Sequence, residues 1–104
     1  MPFKLLYTAE AQKQFDELSR DKGLEKRFKA VKKALRLLGE DPSYPSLKTH
    51  KYSGLEGPEK SELFEAYAEN KTAAAYRIFW AYYPSKKETD LLGHITIIAI
   101  TPHP

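Results

Sequence analysis

A length of 104 residues and a mass of 11.9 kDa leave room for one hydrophobic core and exclude a second. The apolar share of 41%, with Trp80, five Phe and seven Tyr, can close that core and argues against disorder, while the absence of cysteine excludes disulfides, a thiolate nucleophile and cysteine-based metal sites. Seventeen Lys and Arg stand against fourteen Asp and Glu, and the resulting +3 is unevenly placed: residues 20–51 carry +6, residues 1–19 carry −1 and residues 52–104 carry −2.

Taken in chain order, Phe3-Lys4-Leu5-Leu6-Tyr7 reads as a short strand, and Thr8 follows as a helix N-cap with Glu10 in the first turn to complement the helix dipole. Ala11, Phe15 and Leu18 recur at the helical period, and Gly23 interrupts the pattern. Leu24, Phe28, Val31, Leu35 and Leu38 then form a cleaner apolar stripe that predicts a second helix ended by Gly39 and Pro42. Residues 40–58 hold most of the turn formers around one short extended segment at 47–52. Beyond them the period changes to two. Leu63, Glu65, Tyr67 and Glu69 share one face of a predicted strand, while Phe64, Ala66 and Ala68 share the other. A turn at Asn70-Lys71-Thr72 leads into a second strand over 74–83, and residues 94–101, almost wholly β-branched or apolar, predict a well-covered last strand. The expected fold is a single α+β domain over residues 1–104, a small, mostly antiparallel sheet with a helical hairpin on one face and the opposite face free for function.

Short apolar stretches and the lack of a charged-then-greasy leader give the expectation of no membrane span and no signal peptide, hence a cytoplasmic protein. The cationic middle third favours a polyanionic partner, either nucleic acid or an acidic protein segment. No glycine-rich phosphate loop or G-x-S-x-G elbow is present, and His50, His94 and His103 lie on separate segments without ligand spacing, so neither a cofactor nor a metal is expected.

The chemistry-bearing candidates are then His, Arg, Tyr, Glu and Lys. Arg77 interrupts the apolar run Tyr76-Arg77-Ile78-Phe79-Trp80 and needs a partner. A three-residue turn would set Glu65 opposite it as a cross-strand ion pair; alternatively the guanidinium fork faces a groove and holds a phosphate. His50 is flanked in Lys48-Thr49-His50-Lys51 by two ammonium groups that gather anions, which suits an RNA phosphate as well as a solvated loop histidine. Lys29, Lys32 and Lys33 belong to a helical basic run that serves either as a solvated face or as a phosphate-tracking ridge.

The order of these elements and several strings together resemble the RelE/ParE superfamily of toxins from toxin–antitoxin pairs: Tyr7-Thr8-Ala9-Glu10-Ala11 after the first strand, Leu47-Lys48-Thr49-His50-Lys51-Tyr52-Ser53-Gly54, the Tyr76-Arg77-Ile78 strand and the isoleucine-rich last strand. The resemblance covers nearly the whole chain. It implies a compact sheet with two helices on one face, a cognate antitoxin, and ribosome-dependent mRNA cleavage that inhibits translation, in which an RNA 2′-OH attacks the adjacent phosphate without a metal. Within that resemblance Arg77 matches the arginine that contacts the scissile phosphate in RelE-like and YoeB-like members. His103 resembles their C-terminal acid, His50 the loop histidine of YafQ-like members, and Tyr67 a position where those place a strand histidine. Glu65 is a candidate base or orienting partner, and Lys48 and Lys51 with Lys29, Lys32 and Lys33 are candidate RNA contacts. The lysine pair of RelE, expected on the strand containing residues 64–68, and the acidic residue of YoeB-like members ahead of Leu47 are both absent. Two alternatives share the fold: a ParE-like inhibitor that binds DNA gyrase, and a non-catalytic relative that binds antitoxin or RNA.

Overall fold

The computed structural model describes residues 2–70, 74–84 and 93–102. The chain opens with β1 (Phe3–Tyr7), followed by α1 (Ala9–Arg20) and α2 (Glu25–Glu40), separated by a 3₁₀ turn at Lys22–Leu24. Thr8 caps α1: its Oγ1 accepts from the Ala11 N–H at 3.0 Å and donates to the Ile98 carbonyl at 3.0 Å, so one hydroxyl starts the helix and ties it to the last strand. Asp21 separates the helices by accepting from the Gly23 N–H through Oδ1 at 2.9 Å. Gly39 does not end α2 as the sequence predicts. The helix runs on to Glu40, with the Asp41 N–H donating to the Leu37 carbonyl at 2.8 Å, because a glycine near a helix end costs only about 1 kcal/mol and the packed stripe outweighs it.

After the helices come β2 (His50–Lys51), β3 (Phe64–Tyr67), β4 (Tyr76–Ala81) and β5 (Gly93–Pro102), in one sheet of order β1-β5-β4-β3-β2. Only β1 and β5 run parallel; the other neighbours are antiparallel. The extended segment expected at 47–52 narrows to the two residues of β2, since Pro45–Leu47 instead forms a 3₁₀ turn that buries Leu47. Period-two alternation sends Tyr76, Ile78 and Trp80 toward the helices, into the core with Val31, Leu35 and Leu38, and leaves Arg77, Phe79 and Ala81 on the opposite face. That face is not free as expected: all three are buried there, Phe79 against the Tyr52 ring at 5.0 Å.

An irregularity in β5 sets its alternation. Phe79 faces Ala99 but Trp80 faces Ile97, so Ile98 is an extra residue, and Ile95, Ile97 and Ile100 all reach the core despite their uneven spacing. Backbone groups near the bulge are satisfied by the helical layer. The Ile98 carbonyl accepts from Thr8 as above, and the Ile100 N–H donates to Gln14 Oε1 at 2.7 Å.

The connection between β3 and β4 is longer than the predicted three-residue turn. Both the Ala68 and Glu69 N–H groups donate to the Tyr76 carbonyl, and the register becomes Tyr67 opposite Arg77 and Glu65 opposite Phe79. The expected Glu65–Arg77 alignment is thereby corrected by two residues. A slip of two preserves the face on which every side chain lies, so Glu65 still reaches Arg77, now diagonally.

Candidate active site on the sheet face opposite the helices

β2 lies beside β3 so that His50 and Glu65 are directly paired. Their side chains share the face opposite the helices, and His50 Nε2 lies 2.7 Å from Glu65 Oε1. The other ring nitrogen, Nδ1, lies 2.8 Å from the Lys48 carbonyl. Local backbone aims that carbonyl, because Lys48 follows the 3₁₀ turn at φ 47° and ψ 39°, the left-handed region, where a non-glycine residue costs about 1 kcal/mol or more.

A carbonyl oxygen only accepts, so Nδ1 donates to Lys48 and Nε2 faces the Glu65 carboxylate. Both ring nitrogens are therefore engaged. The histidine side chain is 46% exposed and the glutamate 2%, so the imidazole is the member that a solute can reach.

Glu65 Oε2 points the other way, 3.8 Å from Nε of Arg77. Arg77 is itself buried, stacks its guanidinium on the Tyr67 ring at 3.8 Å from the centroid, and donates from Nη1 to the carbonyls of Glu69 and Tyr76. The two sequence readings of Arg77 therefore separate: the ion pair with Glu65 is formed diagonally, and the Nη1 end of the fork is turned toward backbone carbonyls. Tyr67 sits at the centre of the cluster. The His50 ring meets it edge-on at 5.9 Å, and Lys48 Nζ lies 5.8 Å from its centroid.

His50, Glu65, Tyr67 and Arg77, drawn from three strands, are thus in one cluster, and Lys48 stands over it. His103 lies outside the described residues; the last described position, Pro102, pairs with Tyr76, beside the Arg77–Thr101 pair. Lys51 is on the same edge strand, 3.1 Å from Glu62 Oε1 in an exposed ion pair. The helical lysines divide. Lys33 lines a groove of about 240 Å³ with Leu37, Ser46, Leu47, Ala68 and Tyr67, bordering the cluster, whereas Lys29 and Lys32 stand exposed on the helical layer, Lys32 over the Phe28 ring at 4.7 Å. Among the described residues no group of three or more His, Cys, Asp or Glu could hold a metal ion, and no helix is long and apolar enough to cross a membrane.

Two charged residues behind the cluster escaped sequence reading. Glu69 Oε1 lies 2.7 Å from Nε of Arg27 and accepts the Tyr76 N–H at 3.1 Å, and Arg27 also lies over the Tyr76 ring at 4.9 Å. The signal was present: Arg27 falls three residues after Leu24 and four before Val31, an arginine on an otherwise apolar stripe.

The five-stranded mixed sheet with two helices on one face matches the fold of a solved YoeB structure. The solved structure of the YoeB dimer from Staphylococcus aureus is similar over 100% of both chains, with a TM-score of 0.63 and 12% sequence identity. No protein-family model matches the sequence, and no curated protein matches it either. At 12% identity the likeness is one of fold, and the residues of the site rest on this chain's own geometry.

Proposed function

We propose that this protein is the toxin of a toxin–antitoxin pair and that it cleaves mRNA on the ribosome through the His50 cluster. The observation that carries the reading is a half-exposed histidine 2.7 Å from a buried, arginine-paired glutamate, on the sheet face opposite the helices in a fold like that of YoeB.

Cleavage by internal transfer needs three things: removal of the 2′-OH proton as that oxygen attacks the adjacent phosphorus, a proton for the departing 5′-oxygen, and positive charge around the pentacovalent phosphorane. A cyclic 2′,3′-phosphate and a 5′-hydroxyl result. The His50–Glu65 dyad fits either proton transfer. Both ring nitrogens are engaged here, so the transfer requires Nδ1 to exchange the Lys48 carbonyl for a substrate oxygen while Nε2 stays on Glu65. Nδ1 then gives its proton to the 5′-oxygen, or, having lost it, takes that of the 2′-OH while Glu65 stabilises the imidazolium. His103 takes the complementary role. Lys48 and Lys51 contribute positive potential on the substrate side, and Arg77 contributes it from beneath Tyr67. An acidic, disordered antitoxin segment folding over the basic middle third is the partner that the charge distribution favours.

The test is primer-extension mapping of mRNA in a translating extract. Cuts that depend on translation, and that fall by about 10²–10⁴-fold in His50→Ala with the thermal midpoint little changed, are expected. Accumulation of cleaved DNA instead would assign the fold to gyrase inhibition. Salt-sensitive RNA binding with no product would assign a non-catalytic role.

A further inference from the structure

Arg77 is 7% exposed, its Nη1 is bound by the carbonyls of Glu69 and Tyr76, and Tyr67 covers a face of its guanidinium at 3.8 Å. A guanidinium so held is poorly presented to an incoming phosphate. Its buried Nε, without a hydrogen bond among the described residues, lies 3.8 Å from Glu65 Oε2 and holds that carboxylate by charge, while the other Glu65 oxygen lies 2.7 Å from His50. Behind it, the Glu69 residue that supplies the carbonyl is itself clamped. Its carboxylate is 2.7 Å from Arg27 and takes the Tyr76 N–H, with the two side chains only 22% and 13% exposed. The result is a connected run, Arg27–Glu69–Arg77–Glu65–His50, from helix α2 to the sheet face opposite the helices, in which Glu69 meets Arg27 with its carboxylate and Arg77 with its backbone carbonyl.

We propose that Arg77 is a positioning residue for His50 rather than a phosphate contact, and that Arg27 of α2 anchors it through Glu69. The proposal rests on His50 being the proton-transfer group of the cleavage reaction. Loss of the Arg27 clamp lets the Glu69 carbonyl move, which releases Nη1 of Arg77. Glu65 then loses its fixed cation, and the dyad loses its fixed geometry. Proton transfer suffers while binding of RNA does not, because no member of the run behind Glu65 touches the substrate.

The test pairs a ring readout with a kinetic one on the full chain. Long-range ¹H–¹⁵N correlation spectra report the protonation and tautomer of the His50 ring in the unaltered protein, in Arg27→Met, Glu69→Gln and Arg77→Lys, and in Glu25→Gln as an exposed control on the same helix. The three relay variants are expected to move the His50 ring signals and to lower kcat for mRNA cleavage by about tenfold with KM within about twofold, while Glu25→Gln changes neither. Unmoved ring signals in Arg27→Met and Arg77→Lys would overturn the proposal. So would a raised KM with unmoved signals in Arg77→Lys, which would mean that the guanidinium meets RNA. Should Arg77→Lys fail to fold, the more accessible Arg27 position decides through Arg27→Met. If the unaltered protein cuts no RNA, the function proposed above fails, and the ring signals alone still decide the positioning run.

Discussion

Tyr67 stands directly opposite Arg77 on the neighbouring strand, and the guanidinium lies 3.8 Å from the centre of the tyrosine ring. Directly paired residues on one face are the closest that a sheet offers, so the ring covers a charge that would otherwise face solvent from a half-apolar strand. Tyr67→Phe keeps this contact and is expected to leave stability near that of the parent. Tyr67→Leu removes the π face and is expected to cost about 1–2 kcal/mol in urea unfolding. Equal midpoints for the two variants would show that the stack contributes nothing.

Glu65 and Arg77 are a buried pair with unequal consequences for single and double substitution. Arg77→Met alone leaves a carboxylate that is 1% exposed without its arginine and is expected to destabilise by about 3–5 kcal/mol; combined with Glu65→Leu it is expected to recover much of that loss. Chemical denaturation of the four-member cycle measures the coupling directly, and additive losses would mean that the pair does not interact.

Thr8 both caps α1 and binds β5. Thr8→Ala removes the bond to the Ala11 N–H and the bond to the Ile98 carbonyl, and is expected to cost about 1–2 kcal/mol of stability. Thr8→Ser retains both bonds and should lose far less in the same thermal melt.

The Ser43 hydroxyl, and after it the Ser43 backbone N–H, hold the Asp41 carboxyl below its ordinary value of 3.8. A folded value below the unfolded one means that the stabilising contribution is complete above that ordinary value and is lost as pH falls through the lower folded one. Ser43→Ala is therefore expected to lower the urea midpoint at neutral pH and to flatten its acid branch, converging on the parent at the acid end. An unchanged acid branch would show that the turn does not bind the ionised carboxylate.

The two groups of helical lysines are expected to differ in RNA binding. Lys33 borders the cluster through the groove shared with Tyr67, whereas Lys29 is exposed elsewhere on the helical layer. Lys33→Ala, like Lys48→Ala, should weaken binding of a short RNA and reduce the slope of log Kd against log salt by about one, and Lys29→Ala should change neither. Fluorescence anisotropy across a salt series measures this.

Local patterns carried much of the fold. The Thr8 cap, the stripe from Leu24 to Leu38 and the two-residue alternation of Phe64, Glu65, Ala66 and Tyr67 each depend on residues within a turn or two of one another, so they are readable along the chain. The same alternation put Glu65 and Tyr67 on one face, and because the register differs from the expected one by two residues and not by one, Arg77 stays on that face as well.

What the amino-acid order determined by itself was which residues would be available on a common surface: a histidine among lysines, and a glutamate, a tyrosine and an arginine spaced by twos along strands. Which of them touch was decided in three dimensions. The connection from Ala68 to Tyr76 set Tyr67 rather than Glu65 against Arg77, the left-handed turn at Lys48 aimed a carbonyl at His50, and the docking of α2 brought Arg27 onto Glu69. Each of these depends on loop geometry or on contacts between distant segments, and a buried charge takes its partner from whatever the packing brings within reach.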